Sequence, residues 1–155
     1  ILVVEEPRPY LSIVGSSIRI ITDYYQGLAP LSSLHAALSL AKHPYLWVVS
    51  SNKPNLSSPA ALVMLQHSQH HQQDIVLPAL EEIDFFHGIY SQSCLPVVEE
   101  LLKKGQGNIQ DLLPYVQHYV VEKSFFTKQG LETHFSLQIN NPAHLSKKEH
   151  SNATA

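Results

Sequence analysis

The stretch Tyr45-Leu46-Trp47-Val48-Val49-Ser50-Ser51-Asn52-Lys53-Pro54-Asn55-Leu56 is a short apolar strand that runs straight into a polar turn. Ser58-Pro59 then opens a helix, since proline is tolerated in a first helical turn. In open α/β sheets ligands collect just outside the carboxyl ends of strands. A nucleotide or a metal would therefore sit at this turn. Such chemistry calls for a negative charge at position 52, and the residue there is asparagine.

Outward from that unit, apolar runs alternate with helical patterns, as in βα units built around a mostly parallel sheet. Ile1-Leu2-Val3-Val4 reads as a first strand and Ser17 to Thr22 as a second, ending at Asp23. A helix follows over about Leu31 to Ala41, with Leu34, Ala37, Leu38 and Ala41 on one face. Tyr45 to Val49 is apolar enough for a strand covered on both faces. The helix from Ser58 to about His71 is expected to bury Leu62 and Leu65. Asp74 to Pro78 and Ile83 to Tyr90 are further strands, with Gly88 marking a bulge or a close backbone approach. Pro96 opens a helix that Gly105 stops, and Asn108 caps a shorter helix through Leu113. Tyr119 to Glu122 and Thr133 to Ile139 read as late strands, and the polar tail 146–155 is expected to fray. The expectation is one domain over 1–145, a three-layer α/β/α fold with a Rossmann-like sheet. The opening in mid-strand, without methionine, raises the expectation of further residues upstream.

The 155 residues are 44% hydrophobic and 15% charged, ordinary values for a chain that buries a core. A net charge of -3 gives no electrostatic footing for a nucleic-acid backbone. Cys94 is the single cysteine, so no internal disulfide forms. No apolar run approaches the ~20 residues of a membrane span, and no signal peptide is evident. A cytoplasmic protein with neither nucleic-acid nor membrane partners is the default.

Three polar clusters fall at the ends of strands: Asp23, Asn52, and Asn140-Asn141-Pro142. If the strands are parallel neighbours, all three line one sheet edge and could hold a cation and phosphate oxygens. Turns also favour Asp, Asn and Pro for their own sake, and both readings stand. His67 and His71, at i and i+4, could chelate zinc, although a site wants three or four ligands and the flanking glutamines suggest a solvated face. Cys94 reads as a small buried residue at a helix start rather than a nucleophile. Tyr24-Tyr25 could stack a base or cover the sheet edge. Glu5-Glu6 and Glu81-Glu82 read as solvated charge.

In serial order these pieces resemble the molybdenum cofactor guanylyltransferases, a branch of the GT-A-like nucleotidyltransferases, from Ile18 to about Leu145. Ile20-Ile21-Thr22-Asp23 resembles the strand ending in a nucleotide-binding Asp. Gly27 to Leu38 resembles the Gly-Pro-Leu-Ala-Gly segment and its helix, with Ala29 and Ser33 in place of the two glycines. Tyr45 to Leu56 resembles the strand followed by Cys-Asp-Met-Pro-Phe-Leu. His87-Gly88-Ile89-Tyr90 resembles Leu-His-Gly-Leu-Tyr, and Gln138-Ile139-Asn140-Asn141-Pro142 resembles Asn-Ile-Asn-Thr-Pro. The first βα unit of that family, with its Gly-Gly loop and phosphate-binding lysine, has no counterpart here.

The resemblance implies transfer of a GMP moiety from GTP to the molybdopterin cofactor. In that reaction the molybdopterin phosphate attacks the α-phosphate, magnesium stabilises the charge and pyrophosphate leaves. Carried onto this chain, Asp23 and Asn52 fall at nucleotide-binding positions. Asn52 stands where the Mg2+-binding Asp belongs, and Asn140 lies on the molybdopterin side. The missing loop and the neutral residue at 52 imply impaired turnover. The alternative is a non-catalytic module of the same fold that contacts a molybdoenzyme or an insertion chaperone during cofactor delivery.

Overall fold

The computed structural model describes residues 1–137. Its centre is a four-stranded sheet in the order β3 (Tyr45–Val49), β5 (His87–Ser91), β4 (Ile75–Ala79), β6 (His118–Glu122). Strands β3, β4 and β6 run one way and β5 the other, so both pairings through β5 are antiparallel. A separate parallel pair joins β1 (Leu2–Val3) to β2 (Ile20–Ile21).

Side chains of a strand alternate between faces, and that alternation sorts the core into two layers. Ile75, Leu77 and Tyr90 face α1 (Leu31–Ser39), α3 (Leu95–Lys103) and a 3₁₀ segment over Ile109–Tyr115. Val76, Ile89 and Val121 face α2 (Ser58–His71), α4 (Lys123–Lys128) and Phe135. The result is the expected three-layer α/β/α architecture. Each fully buried Leu, Ile or Val contributes on the order of 1.5–3 kcal/mol through the apolar surface it removes from water.

The helix ends follow from the sequence. Ser57 caps α2, its Oγ accepting from Ala60 N at 3.2 Å, and Pro59 sits in the first turn. Past α3, Gly105 takes φ +77° and donates to Leu102 O at 2.9 Å, while Gln106 N reaches Leu101 O at 3.0 Å. This is a left-handed helix stop that favours glycine.

Several expectations need correction. Strand β3 is one of the two edge strands of its sheet and is not covered on both faces: Trp47 and Val49 are 37% and 39% exposed. Helix α2 buries Ala61, Met64 and Ser68 at i, i+3 and i+7, whereas Leu62 is exposed. Residues 83–86 are a connection that touches β4 by one bridge, Ala79 to Ile83. Within Thr133 to Leu137 a 3₁₀ turn, His134–Ser136, replaces the expected strand. Its purpose in packing is clear, because it drives Phe135 into the α2-side core. Asn108 caps a helical segment as expected, accepting from Gln110 N at 3.2 Å, and the segment is 3₁₀ over Ile109–Tyr115; Pro114, inside it, removes a donor. Helix α4 was not anticipated. Gln138, Ile139, Asn140 and the tail lie outside the described residues. Among the described residues no helix is long and apolar enough to cross a membrane.

Gly88 is the second residue of the reversed strand. A Cβ there would lie 2.5 Å from Leu77 Cδ2, 3.0 Å from Tyr90 Cε2 and 3.3 Å from Val76 O. Gly88→Ala should therefore destabilise the domain by about 1–3 kcal/mol through overpacking, read as a lower denaturant midpoint at unchanged slope.

Candidate functional site

The turn after β3 is held from within. Lys53 N donates to Ser50 O at 3.2 Å, and Ser50 Oγ donates to Asn52 Oδ1 at 2.7 Å. The next side chain decides the electrostatics. Lys53 is buried, and its ammonium pairs with the buried carboxylate of Asp84. Asp84 Oδ2 also accepts from Ser136 Oγ at 2.8 Å, and Oδ1 accepts from Phe86 N at 2.9 Å. One carboxylate thereby ties together the β3 turn, the β4–β5 connection and the 3₁₀ turn over His134–Ser136.

His87 lies beside this pair and is wholly buried. Its ring stacks on Phe135 with centroids 4.5 Å apart and meets Trp47 edge-on at 5.2 Å. Nε2 approaches Ser57 O at 3.4 Å, and a carbonyl can only accept, so Nε2 carries the proton. Nδ1 has no partner. Burial holds the imidazole below its ordinary pKa, because the charged form would lose its hydration.

Asp23, after β2, is turned onto the start of α1. Its Oδ2 accepts from Ser32 Oγ at 2.7 Å and Ser33 Oγ at 2.9 Å, and Oδ1 accepts from Ser33 Oγ at 3.1 Å. A carboxylate at a helix amino end is also favoured by the helix dipole. Both serines lie in the first turn of α1, inside the helix expected from about Leu31.

A cavity of about 920 Å³ lies between the two sheets. Ser33, which holds Asp23, lines it, as do Ser50, Ser51 and Lys53 from the β3 turn. The sequence-derived positions 23 and 52 thus sit behind opposite sides of one cleft, although the strands they follow are not paired neighbours. Asn140 falls outside the described residues.

The donor set does not fit a divalent cation at position 52. Such a cation seeks several oxygens, mostly anionic. Asn52 is neutral, its oxygen already accepts from Ser50, and the adjoining residue is a buried cation whose carboxylate partner is used. No group of three or more metal-ligating side chains occurs among the described residues. On α2, His67 and His71 rings lie 4.4 Å apart, His70 meets His71 edge-on at 5.3 Å and His67 stacks on Tyr119 at 4.1 Å, and they make no metal-holding group among the described residues.

Comparison with known proteins then places the fold. A family model, the MobA-like NTP transferase domain, matches residues 1–120. The chain belongs to that family. A probable molybdenum cofactor guanylyltransferase from Pelotomaculum thermopropionicum is 28% identical over 132 residues, covering 84% of this chain and 63% of the relative. One from Aquifex aeolicus is 25% identical, covering 79% and 58%. The chain therefore spans about three fifths of the length of these curated relatives. Among solved structures, molybdopterin-guanine dinucleotide biosynthesis protein A from Archaeoglobus fulgidus superposes with a TM-score of 0.78 at 17% identity, covering 99% of this chain and 78% of that one. At that identity the likeness is one of fold.

Sequence reading missed Lys53, Asp84 and His87 as a unit. The available signal was an aspartate embedded among aromatic residues, Asp84-Phe85-Phe86, since a buried carboxylate needs a partner. Cys94 is buried as expected, its thiol pushed up to about 12 by burial first and Asp74 second, which makes it a poor nucleophile. Tyr25 packs edge-on to His35 at 5.3 Å, while Tyr24 is exposed. Glu5, Glu6, Glu81 and Glu82 are all exposed.

Two outcomes follow from this geometry. Lys53→Met should cost about 3–5 kcal/mol by stranding the Asp84 charge, whereas Lys53→Met with Asp84→Asn should recover most of it; equilibrium denaturation of both measures the difference. His87 is neutral in the fold, so the unfolded chain takes up its proton first as pH falls below about 6.5. The His87 contribution is complete above that pH and is lost as pH falls through the lowered folded value. Relative to His87→Gln, the parent should lose stability over that window, seen by thermal melts from pH 7.5 downward.

Proposed function

We propose that this chain is a guanylyltransferase-like nucleotidyltransferase domain acting in molybdenum cofactor biosynthesis in the cytoplasm, impaired in its own turnover. GTP and the molybdopterin cofactor are the ligand classes, and neither nucleic acid nor membrane is a partner. Membership of the MobA-like family and the names of the relatives support the general assignment. The observation that carries the impairment is at Asn52. A neutral amide held by Ser50, next to the Lys53–Asp84 pair, stands where a charged ligand for Mg2+ belongs. Phosphoryl transfer relies on positioning and charge stabilisation, and this turn offers no anionic group to a cation.

Asp23 is the nucleotide contact of this reading. A nucleotide hydroxyl would have to compete with Ser32 and Ser33 for its oxygens, and hydrogen bonds to a charged acceptor contribute about 1.5–3 kcal/mol each. That same internal saturation favours the second reading, a non-catalytic module that contacts a molybdoenzyme or chaperone during cofactor delivery. Asn140 is kept as the molybdopterin-side residue of the first reading.

Calorimetric titration of GTP, with and without magnesium, tests the assignment on the chain and on Asn52→Asp. The chain should bind GTP with an affinity indifferent to magnesium, and Asn52→Asp should gain about tenfold when magnesium is present, near 1.4 kcal/mol. Absence of GTP binding by both proteins removes the nucleotide site. Recovery of a molybdoenzyme in a pull-down, together with that absence, establishes the delivery reading instead.

A further inference from the structure

The strand order β3-β5-β4-β6 puts β6 at the edge of the sheet away from the cleft. Ile75 N donates to Gln117 O at 3.1 Å, which opens the parallel β4–β6 ladder. In such a ladder alternate residues of a strand address its neighbour. Gln117, Tyr119 and Val121 therefore turn their backbone groups to β4. His118 and Val120 turn N–H and C=O to the other side, and Glu122 turns its N–H there. No strand pairs with that side among the described residues. The register with β4 runs unbroken from His118 to Glu122, so no bulge deflects the edge. Proline and lysine, which commonly blunt such edges, are absent from these five residues.

Side chains alternate as well. Val121 is buried on the α2 side, and Tyr119, of the same parity, stacks on His67 of α2 at 4.1 Å. His118, Val120 and Glu122 share the opposite face, the valine half-buried between two exposed polar ends. A histidine at one end and a carboxylate at the other are complementary to the same strand run backwards. An antiparallel copy centred on Val120 sets His118 of each chain opposite Glu122 of the other. Directly opposed residues have Cβ atoms about 4.5–5.5 Å apart, near enough for an imidazole to donate to a carboxylate. A parallel copy in register would set glutamate on glutamate. Just outside the strand, Tyr115 and Phe125 are exposed. The antiparallel register brings the end of one chain that bears Tyr115 to the end of the other that bears Phe125, which adds apolar area.

We propose that β6 is a self-pairing edge: two copies of this chain dimerise by antiparallel addition of β6 to β6 about Val120, joining two four-stranded sheets into one. The contact is isologous, every residue being used twice about the two-fold axis. Main-chain bonds supply affinity, and the His118–Glu122 pairs fix direction and register. Strand β6 and the strand leading to Asn52 are opposite edges of the sheet, so the dimer leaves that turn uncovered.

Sedimentation equilibrium of the 155-residue chain, carried to about 0.5 mM as suits a contact of modest area, should show a monomer–dimer equilibrium. Amide exchange at His118, Val120 and Glu122 should slow about tenfold or more as concentration rises, with Met64 and Leu101 unchanged. Val120→Pro removes an N–H that β4 does not use, and proline is tolerated at such edge positions. That variant should keep its circular dichroism and be monomeric. Glu122→Lys and His118→Glu should each weaken the dimer about tenfold. An equimolar mixture of those two variants should recover it, because the mixed pair restores opposite charges at both ends. If Val120→Pro unfolds the chain, the charge variants and their mixture decide. A parent chain that stays monomeric overturns the proposal. So does a dimer that folded Val120→Pro leaves intact, or one that protects the amides of another strand instead. A mixture that associates no better than either charge variant alone overturns it equally.

Discussion

The geometry around the candidate site descends from one reversal of chain direction. Because β5 runs against β3, the end of β3 meets the beginning of β5, with Val49 opposite His87. Lys53 is four residues beyond Val49 and Asp84 three residues before His87, so the reversal brings an ammonium and a carboxylate into one buried place. Neither charge could be left there alone. Desolvation costs several kcal/mol per ion, and mutual attraction with further hydrogen bonds to Ser136 and Phe86 offsets it. The pair adds little net stability, but either partner alone would be costly, so it acts as a constraint on conformation. It fixes the turn that carries Asn52, the connection into β5 and the segment that delivers Phe135 to the core.

The same economy of charge appears across the cleft. Asp23 is satisfied by two serine hydroxyls at the head of α1, and Asn52 by a third at Ser50. In an enzyme that exchanges ligands, polar groups at strand ends usually keep capacity free for substrate. Here hydroxyl-bearing side chains take up part of that capacity, with which any ligand at these positions would compete.

How much of this was legible in the sequence depended on what periodicity can report. The α2 boundaries, the strand Tyr45 to Val49 and the stop at Gly105 were readable, since capping, apolar runs and glycine act locally. An apolar run does not say which strands flank it, so an edge strand looked like a central one. Nor does it give direction, and β5 was read without its reversal. Leu62 was assigned inward because hydrophobicity was weighed above spacing, whereas Ala61, Met64 and Ser68 share the buried stripe. The buried lysine was invisible for a related reason. Lys53 looks like a turn cation until the aspartate thirty-one residues later is known to lie against it.

The gap between the two sheets bears on function as well as on folding. Ser33, and behind it Asp23, belongs to the β2–α1 side of the cleft; Ser50 and Lys53 belong to the β3 side. No ladder connects the two sheets among the described residues, and β1 is joined to the rest chiefly through α1. The separation between the two halves of the site therefore rests on helix packing and on side-chain hydrogen bonds onto α1, from Ser32 and Ser33 to Asp23 and from Arg19 to Leu40 O.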